Sequence, residues 1–205
     1  MTPERRLALL AGLLYLLTFA TSIPALALKT PFLDGSAGAD DPGVRVAIAL
    51  ELVLALACVG TAVAMHPILH ASSPALALAF VASRTVEAAL VLLGVVTLLA
   101  SLALGGAQPT LVALHDQAFL VGPGLIPAVN AAIFATALLR ARLVPRIIPI
   151  VGLVGAPLLL LSVGATIAGA LDQVSPVAAL LALPIAVWEF AIGVWLVVRG
   201  TRATA

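Results

Sequence analysis

Long apolar runs separated by short polar links dominate the chain. Six runs are each long enough to cross a bilayer, because about 20 helical residues at 1.5 Å per residue span its hydrocarbon core. We therefore predict an all-α bundle of six transmembrane helices, forming a single membrane domain over residues 1–205. The predicted spans cover residues 7–28, 46–69, 75–104, 111–139, 147–171 and 177–198.

The links and the prolines punctuate this pattern. The longest link, residues 29–43, is acidic and rich in Gly, Pro and Asp, which is typical of a solvated turn region. Pro24, Pro157 and Pro184 lie inside predicted spans, and VGPGLIP at 121–127 interrupts the fourth. Each proline frees a carbonyl four residues earlier, which inside a bilayer needs a partner from the protein or from cavity water. These interruptions indicate either kinked packing or a binding cavity.

The first apolar run has a second interpretation. Arg5 and Arg6 precede it and ALA at 25–27 closes it, as in a secretory signal peptide with its cleavage site. The apolar stretch is longer than a usual signal peptide core, and Pro24 and Lys29 follow it as they would follow a span. A retained helix is favoured, and the signal peptide stays open as the alternative.

Composition and charge agree with a chain embedded in lipid. The sequence is 63% hydrophobic and 9% charged, with a mean hydropathy of +1.24, whereas soluble domains are about 45–50% apolar and about 25% charged. The net charge of +1 provides no field that would attract nucleic acid. The single cysteine, Cys58, excludes an internal disulfide.

The distribution of basic residues predicts the orientation. Cytoplasmic loops carry an excess of Lys and Arg, so the side richer in these residues is expected to face the cytoplasm. An even number of spans with both termini in the cytoplasm places seven of the ten basic residues on that side. The seven are Arg5, Arg6, Arg140, Arg142, Arg146, Arg199 and Arg202.

Four strong polar residues from three spans share one depth. Arg84, Asn130 and Glu189 lie about ten residues from the cytoplasmic end of their spans, and Glu87 lies about thirteen, which puts all four roughly 15–20 Å into the membrane. A lone charge there costs about 2.5–3.5 kcal/mol on insertion scales, so Arg84 should be paired. Glu87 is one helical turn away, and Glu189 comes from another helix. We predict that both carboxylates approach Arg84.

Two interpretations of this polar layer remain open. In the first, the layer fixes helix register and has no ligand. In the second, it is the floor of a cavity in which Arg84 binds an anion or a lipid headgroup and a glutamate carries a proton. Because one arginine serves two carboxylates, one acid is left over, either protonated or solvated by cavity water.

Histidines provide two further candidate groups. LHDQ places His115, Asp116 and Gln117 at the outer end of the fourth span, where they either line an entrance or cap the helix. His66 and His70 lie one turn apart, a spacing able to supply half a metal site. No carboxylate or cysteine falls beside that pair, and His115 belongs at the opposite membrane face. We therefore predict no metal site.

Several segments together resemble a known family. They are LAGLLYLLTF in the first span, SPALALAFVASRTVEA at 73–88, ARLVPRIIPIVGLVGAPLLLL at 141–161 and WEFAIGVWLVVRG at 188–200. The pattern is similar to a family of bacterial integral membrane proteins known only as domain of unknown function four-three-eight-six. The resemblance runs along nearly the whole chain and implies a six-span protein of the bacterial inner membrane. It implies no reaction, substrate or cofactor.

The functional hypotheses follow from what the chain carries. It has no Walker loop, no dinucleotide-binding glycine pattern and no Gly-x-Ser-x-Gly elbow, so an enzyme ranks third and no catalytic residue or cofactor is predicted. The leading hypothesis is binding or transport of a small molecule or lipid at the Arg84, Glu87, Asn130 and Glu189 layer. The alternative is a non-catalytic scaffold or accessory subunit whose layer is structural. The bilayer is the expected partner, and partner proteins and oligomeric state stay open.

Overall fold

The computed structural model describes residues 1–202, which contain helices and no strand. Six helices are long and apolar enough to cross a membrane, which confirms the predicted all-α bundle of six spans. The fourth span, Pro109–Arg140, is continuous but consists of three pieces. The elements are α1 Pro3–Leu33, α2 Pro42–His70, α3 Pro74–Ala103, α4 Pro109–Phe119, a π-helical segment Leu120–Leu125, α5 Ile126–Arg140, α6 Ile147–Ile167 and α7 Pro176–Val198.

Local sequence signals explain where the helices begin. Five of the spans start with a proline in the first turn, where the missing backbone N–H has no helical partner to lose. Side chains also cap three of these starts, because Thr2 accepts from the Arg5 N–H at 3.2 Å, Asp41 from the Gly43 N–H at 2.8 Å, and Ser175 from Ala178.

The predicted link at 29–43 is wrong in its first part. Helix α1 continues to Leu33, so the link comprises residues 34–41. Lys29 is buried rather than solvated, because it forms an ion pair with Glu51 of α2. Burying its charge against a partner extends the helix beyond the point where hydropathy alone would end it.

The VGPGLIP sequence produces a π-helical segment rather than a break. Residues Leu120–Leu125 widen the helix around Pro123, and α5 then resumes in the same span. Such π segments appear mostly as single turns inside α-helices and often at functional sites. Pro123 lines a cavity on the inner side of this segment.

The spans close into a ring in which each packs on its neighbours in sequence and α7 packs back on α1. We call the side on which α1 begins and α7 ends the termini side and the other the far side. The main apolar core lies toward the termini side and includes Tyr15, Phe80, Phe134 and Trp188. Glycines bring backbones close there: a Cβ added to Gly12 would lie 2.7 Å from the Gly193 carbonyl oxygen. Close helix packing therefore fills the bundle interior on the termini side, and a cavity of about 310 Å³ lies at the edge of that side beside Trp195 and Arg199.

Candidate functional site

A hydrogen-bonded network connects α3 to α5 in the middle of the bundle. Arg84 Nη1 donates to Glu87 Oε2 at 2.8 Å, and Asn130 Nδ2 donates to the same oxygen at 2.6 Å. Ser83 Oγ donates to Asn130 Oδ1 at 2.6 Å. Since Arg84, Glu87 and Asn130 are all buried, Glu87 is held by two donors and serves as the direct counterion of Arg84.

Glu189 of α7 approaches the same arginine more loosely. Its Oε1 lies 3.8 Å from Arg84 Nη1, within ion-pair range but beyond a hydrogen bond. This oxygen has no hydrogen-bond partner among the described residues. The four residues of the predicted layer thus lie together, with Glu87 as the close partner and Glu189 as the surplus acid. One arginine against two carboxylates leaves the ionised layer with one excess negative charge.

The opposite edge of the Arg84 guanidinium has no partner. Arg84 is 2% exposed, yet its Nε and Nη2 make no hydrogen bond within the described residues. Its Cζ lies 5.2 Å from the centroid of the Tyr15 ring, a cation–π distance. Buried donors are usually hydrogen-bonded, so an unpaired guanidinium edge is unusual and points to a ligand or to water.

Sequence reasoning missed Tyr15. It is the only tyrosine of the chain and is fully buried beside Arg84, and its hydroxyl also has no partner among residues 1–202. Its ring stacks on Phe134 at 6.0 Å between centroids. The available signal was depth: a single polar aromatic inside an apolar span needs a partner for its hydroxyl.

A cavity of about 130 Å³ lies against the layer, and we call it the central cavity. Arg84, Glu87 and Glu189 line it, whereas Asn130 does not, because Asn130 stands behind Glu87 and orients its carboxylate. Its other walls include Thr18, Phe19, Ser22, Cys58, Pro123 and Pro127. Depth along a helix does not indicate which member of the layer faces the space.

A second buried ion pair, Lys29 with Glu51, lies closer to the far side. The Lys29 Nζ also lies 4.9 Å from the Phe119 ring centroid, and Glu51 Oε2 has no partner among the described residues. Sequence reasoning placed Lys29 outside the membrane and left Glu51 unassigned. A signal was present, since a carboxylate inside a span requires a cation at its own depth.

The predicted outer cluster divides between two environments. His115 is buried, and its Nδ1 lies 3.2 Å from the Gly94 carbonyl oxygen and 3.3 Å from Thr97 Oγ1. His115 and Asp116 line a cavity of about 320 Å³ on the far side, which we call the far-side cavity. Gln117 is exposed and does not line it. Two of the three residues therefore reach a space open toward the far side.

The histidine pair on the termini side stands without further ligands. The His66 and His70 rings lie 5.2 Å apart between centroids. Within residues 1–202, no group of three or more His, Cys, Asp or Glu side chains is arranged to hold a metal ion.

Comparison with known proteins identifies the family. The model described as Domain of unknown function (DUF4386) matches residues 10–200. The chain belongs to this family. Searches of the curated proteins and of the solved structures gave no significant match. In this DUF4386 member the matched range includes the whole polar layer, the central cavity and the Lys29–Glu51 pair.

Proposed function

We propose that this multi-pass membrane protein binds a small carboxylic acid in the central cavity and transports it across the membrane. The observation that carries the proposal is the unpaired Nε and Nη2 edge of the buried Arg84. A planar guanidinium edge with two parallel N–H groups matches the two oxygens of a carboxylate, and such bidentate pairs are both strong and specific. Glu87 binds Nη1 alone, so no side chain among the described residues competes with a solute for this edge.

Charge balance indicates that a proton binds together with the carboxylate. The groups facing the cavity are Arg84 and Glu87 from α3, Glu189 from α7 and the Cys58 thiol from α2, with Tyr15 from α1 beside Arg84. Since the ionised layer already has one excess negative charge, a carboxylate would bring a second into a low-dielectric site, which is costly. The solute therefore enters with one proton, which Glu189 or the solute carries. The unpaired Glu189 Oε1 is placed to accept it.

Size restricts the solute. A cavity of about 130 Å³ has room for about four water molecules at their liquid volume. That space fits a carboxyl group with a few carbon atoms and excludes an entire phospholipid. Residues such as Phe19 and Val91 provide apolar contact for a short carbon chain.

The predicted orientation in the membrane indicates the side from which the solute enters. The excess of basic residues predicts that the termini side faces the cytoplasm, and the family resemblance supports the bacterial inner membrane as the location. The far-side cavity then faces the outside of the cell, and the solute reaches the central cavity from there only when the wall between the two cavities opens.

The test is pH-dependent binding of short-chain carboxylates to the purified protein in mild detergent. Acetate, propionate, lactate and pyruvate are each titrated at several pH values, with calorimetry and the shift in Tm as readouts. Wild-type affinity should fall about tenfold per pH unit once the required proton must be taken up from solution. Glu189→Gln removes the surplus charge while keeping the side-chain shape, so its binding should persist and become independent of pH.

A matched variant separates the site from the fold. Arg84→Lys keeps a cation for Glu87 but removes the bidentate edge, so we expect a folded protein that has lost carboxylate binding. Carboxylates that fail to bind wild type at every pH would overturn the proposal and favour a scaffold whose layer only fixes helix register. Native mass spectrometry of the same samples would detect a copurified lipid or partner protein, which would favour those ligands instead.

A further inference from the structure

We infer that a water-wide route joins the far-side cavity to the central cavity through a neck that binds water or a hydrated proton. The neck is a space of about 10 Å³ whose walls include Lys29, Glu51, His115 and Phe119. This inference rests on the proposed function, because it describes how the proton required by the central site arrives there.

The three spaces form a series that shares walls. Lys29, His115 and Phe119 line both the far-side cavity and the neck. Val91 and Pro123 line both the neck and the central cavity. The volumes along the series are about 320, 10 and 130 Å³. The neck is therefore the smallest of the three spaces in this series.

Two residues that line the neck each carry an acceptor without a partner among the described residues, beside the Lys29 ammonium, which donates to Glu51 Oε1. The Gly94 carbonyl can only accept, so His115 Nδ1 carries its proton toward that oxygen and His115 Nε2 is an acceptor. Neither His115 Nε2 nor Glu51 Oε2 has a partner within residues 1–202, and both residues are buried. Two unpaired acceptors at one space call for a species that donates hydrogen bonds, which water and hydronium do.

Size and charge restrict the occupant further. A space of about 10 Å³ is close to the smallest that holds one water, and it is too small for a carboxylic acid. Lys29 and Glu51 neutralise each other, and Asp34 and Asp116 at the mouth of the far-side cavity add negative charge. A small cation is thus favoured over an anion. In this conformation the neck admits water and protons, whereas a carboxylic acid cannot pass through it between the far-side cavity and the central cavity.

The wall between the cavities includes the π-helical segment. Phe119 is the last residue of α4, and Pro123 lies within Leu120–Leu125. Phe119 lines both the far-side cavity and the neck, so its ring is part of the wall between them. Widening the path for a larger solute would require this ring to move.

Cys58 provides a direct probe of the route. It is the only cysteine, it is 1% exposed, and it lines the central cavity. Silver ion is a water-sized cation that reacts with thiols, so it is added outside sealed proteoliposomes, and protection of Cys58 from later maleimide labelling after denaturation is measured. A protease-cleavable tag at the C-terminus reports the orientation of each population. Cys58→Ser provides the background.

The expected result is protection of Cys58 only in molecules whose tag is shielded inside the vesicle, since silver must enter from the far side. Phe119→Ala should increase the rate several-fold. Glu51→Gln keeps the width but removes an acceptor charge and should lower the rate several-fold. Leu161→Ala, on the exposed face of α6, should leave the rate unchanged.

Two results would overturn the route. One is protection only in molecules with an accessible tag, which would place the access on the termini side. The other is a rate that neither Phe119→Ala nor Glu51→Gln changes, with Phe119→Leu as the milder substitute if the alanine variant does not fold. The readout needs no carboxylate, so failure of carboxylate binding and failure of the route are separate outcomes.

Discussion

On the termini side the helices meet through glycine backbone and apolar side chains, whereas toward the far side they separate around cavities and a buried ion pair. Gly12 touches the backbone of α7, and a Cβ on Gly152 would lie 2.7 Å from the Trp188 ring. The Arg5 guanidinium also donates to the Leu196 carbonyl at 2.9 Å, which ties the two terminal helices together. On the far side, a Cβ added to Gly105 or Gly169 would meet no other part of the protein within 4 Å.

The difference teaches how one bundle can combine close helix packing with internal cavities. Close packing excludes water and fixes the helices, so the polar layer at its boundary is held in one geometry. The cavities on the far side have room for water, and water there would lower the free-energy cost of burying Lys29 and Glu51. Substitutions in the two halves should therefore lower the unfolding free energy by different amounts. The largest loss should occur at the polar layer, where buried charges border the packed core.

Arg84→Ala should have the largest effect. It leaves Glu87 and Glu189 without a cation in the middle of the bundle, and breaking a buried pair in this way typically costs about 3–5 kcal/mol. Thermal and chemical unfolding in detergent would measure the loss, with Arg84→Lys as the control that retains the charge. A near-native Tm for the alanine variant would mean that water already compensates the layer.

Gly12→Ala should come next, because its Cβ would collide with backbone atoms that cannot rotate away. Overpacking of this kind costs about 1–3 kcal/mol. Gly164→Ala is the matched control on the exposed face of α6, where an added Cβ meets nothing within 4 Å, and it should be close to neutral. Equal unfolding free energies for the two variants would show that α1 and α7 do not depend on close approach.

Lys29→Met should cost less than Arg84→Ala, although each removes one partner of a buried pair. Water in the inferred neck would partly solvate the orphaned Glu51 carboxylate, so a loss of about 1–3 kcal/mol is expected. The double variant Lys29→Met with Glu51→Met should recover most of that loss, since removing both charges leaves nothing unpaired. Lys29→Met as costly as Arg84→Ala would show that the far-side pair is dry.

The sequence predicts the bundle because run length and hydropathy act locally, and it predicts the level of the layer because depth counts along a helix. Depth does not indicate which way a side chain faces. It therefore groups Asn130 with the cavity residues, although Asn130 contacts Glu87 and does not line the cavity. The burial of Lys29 is not predictable for a related reason. Where a helix ends depends on whether the last charged side chain finds a partner in another helix. Only tertiary contact reveals that Glu51 is that partner.

Asp34→Ala should have the smallest effect, and its pH dependence tests whether the far-side mouth is coupled to the fold. The nearby Ser36 hydroxyl and the Ser36 backbone N–H, which donates to Asp34 Oδ1 at 2.9 Å, lower the pKa of this exposed carboxyl. A lowered pKa stabilises the folded state above the ordinary value of about 3.9 and loses that contribution as the pH falls through the lowered value. Wild type and variant should thus differ slightly near neutral pH and converge in acid, as followed by Tm and by the carboxyl NMR signal. Since Asp34 is in the link after α1, away from the packed core, a large or pH-independent difference would contradict the division into a rigid half and a loosely held mouth.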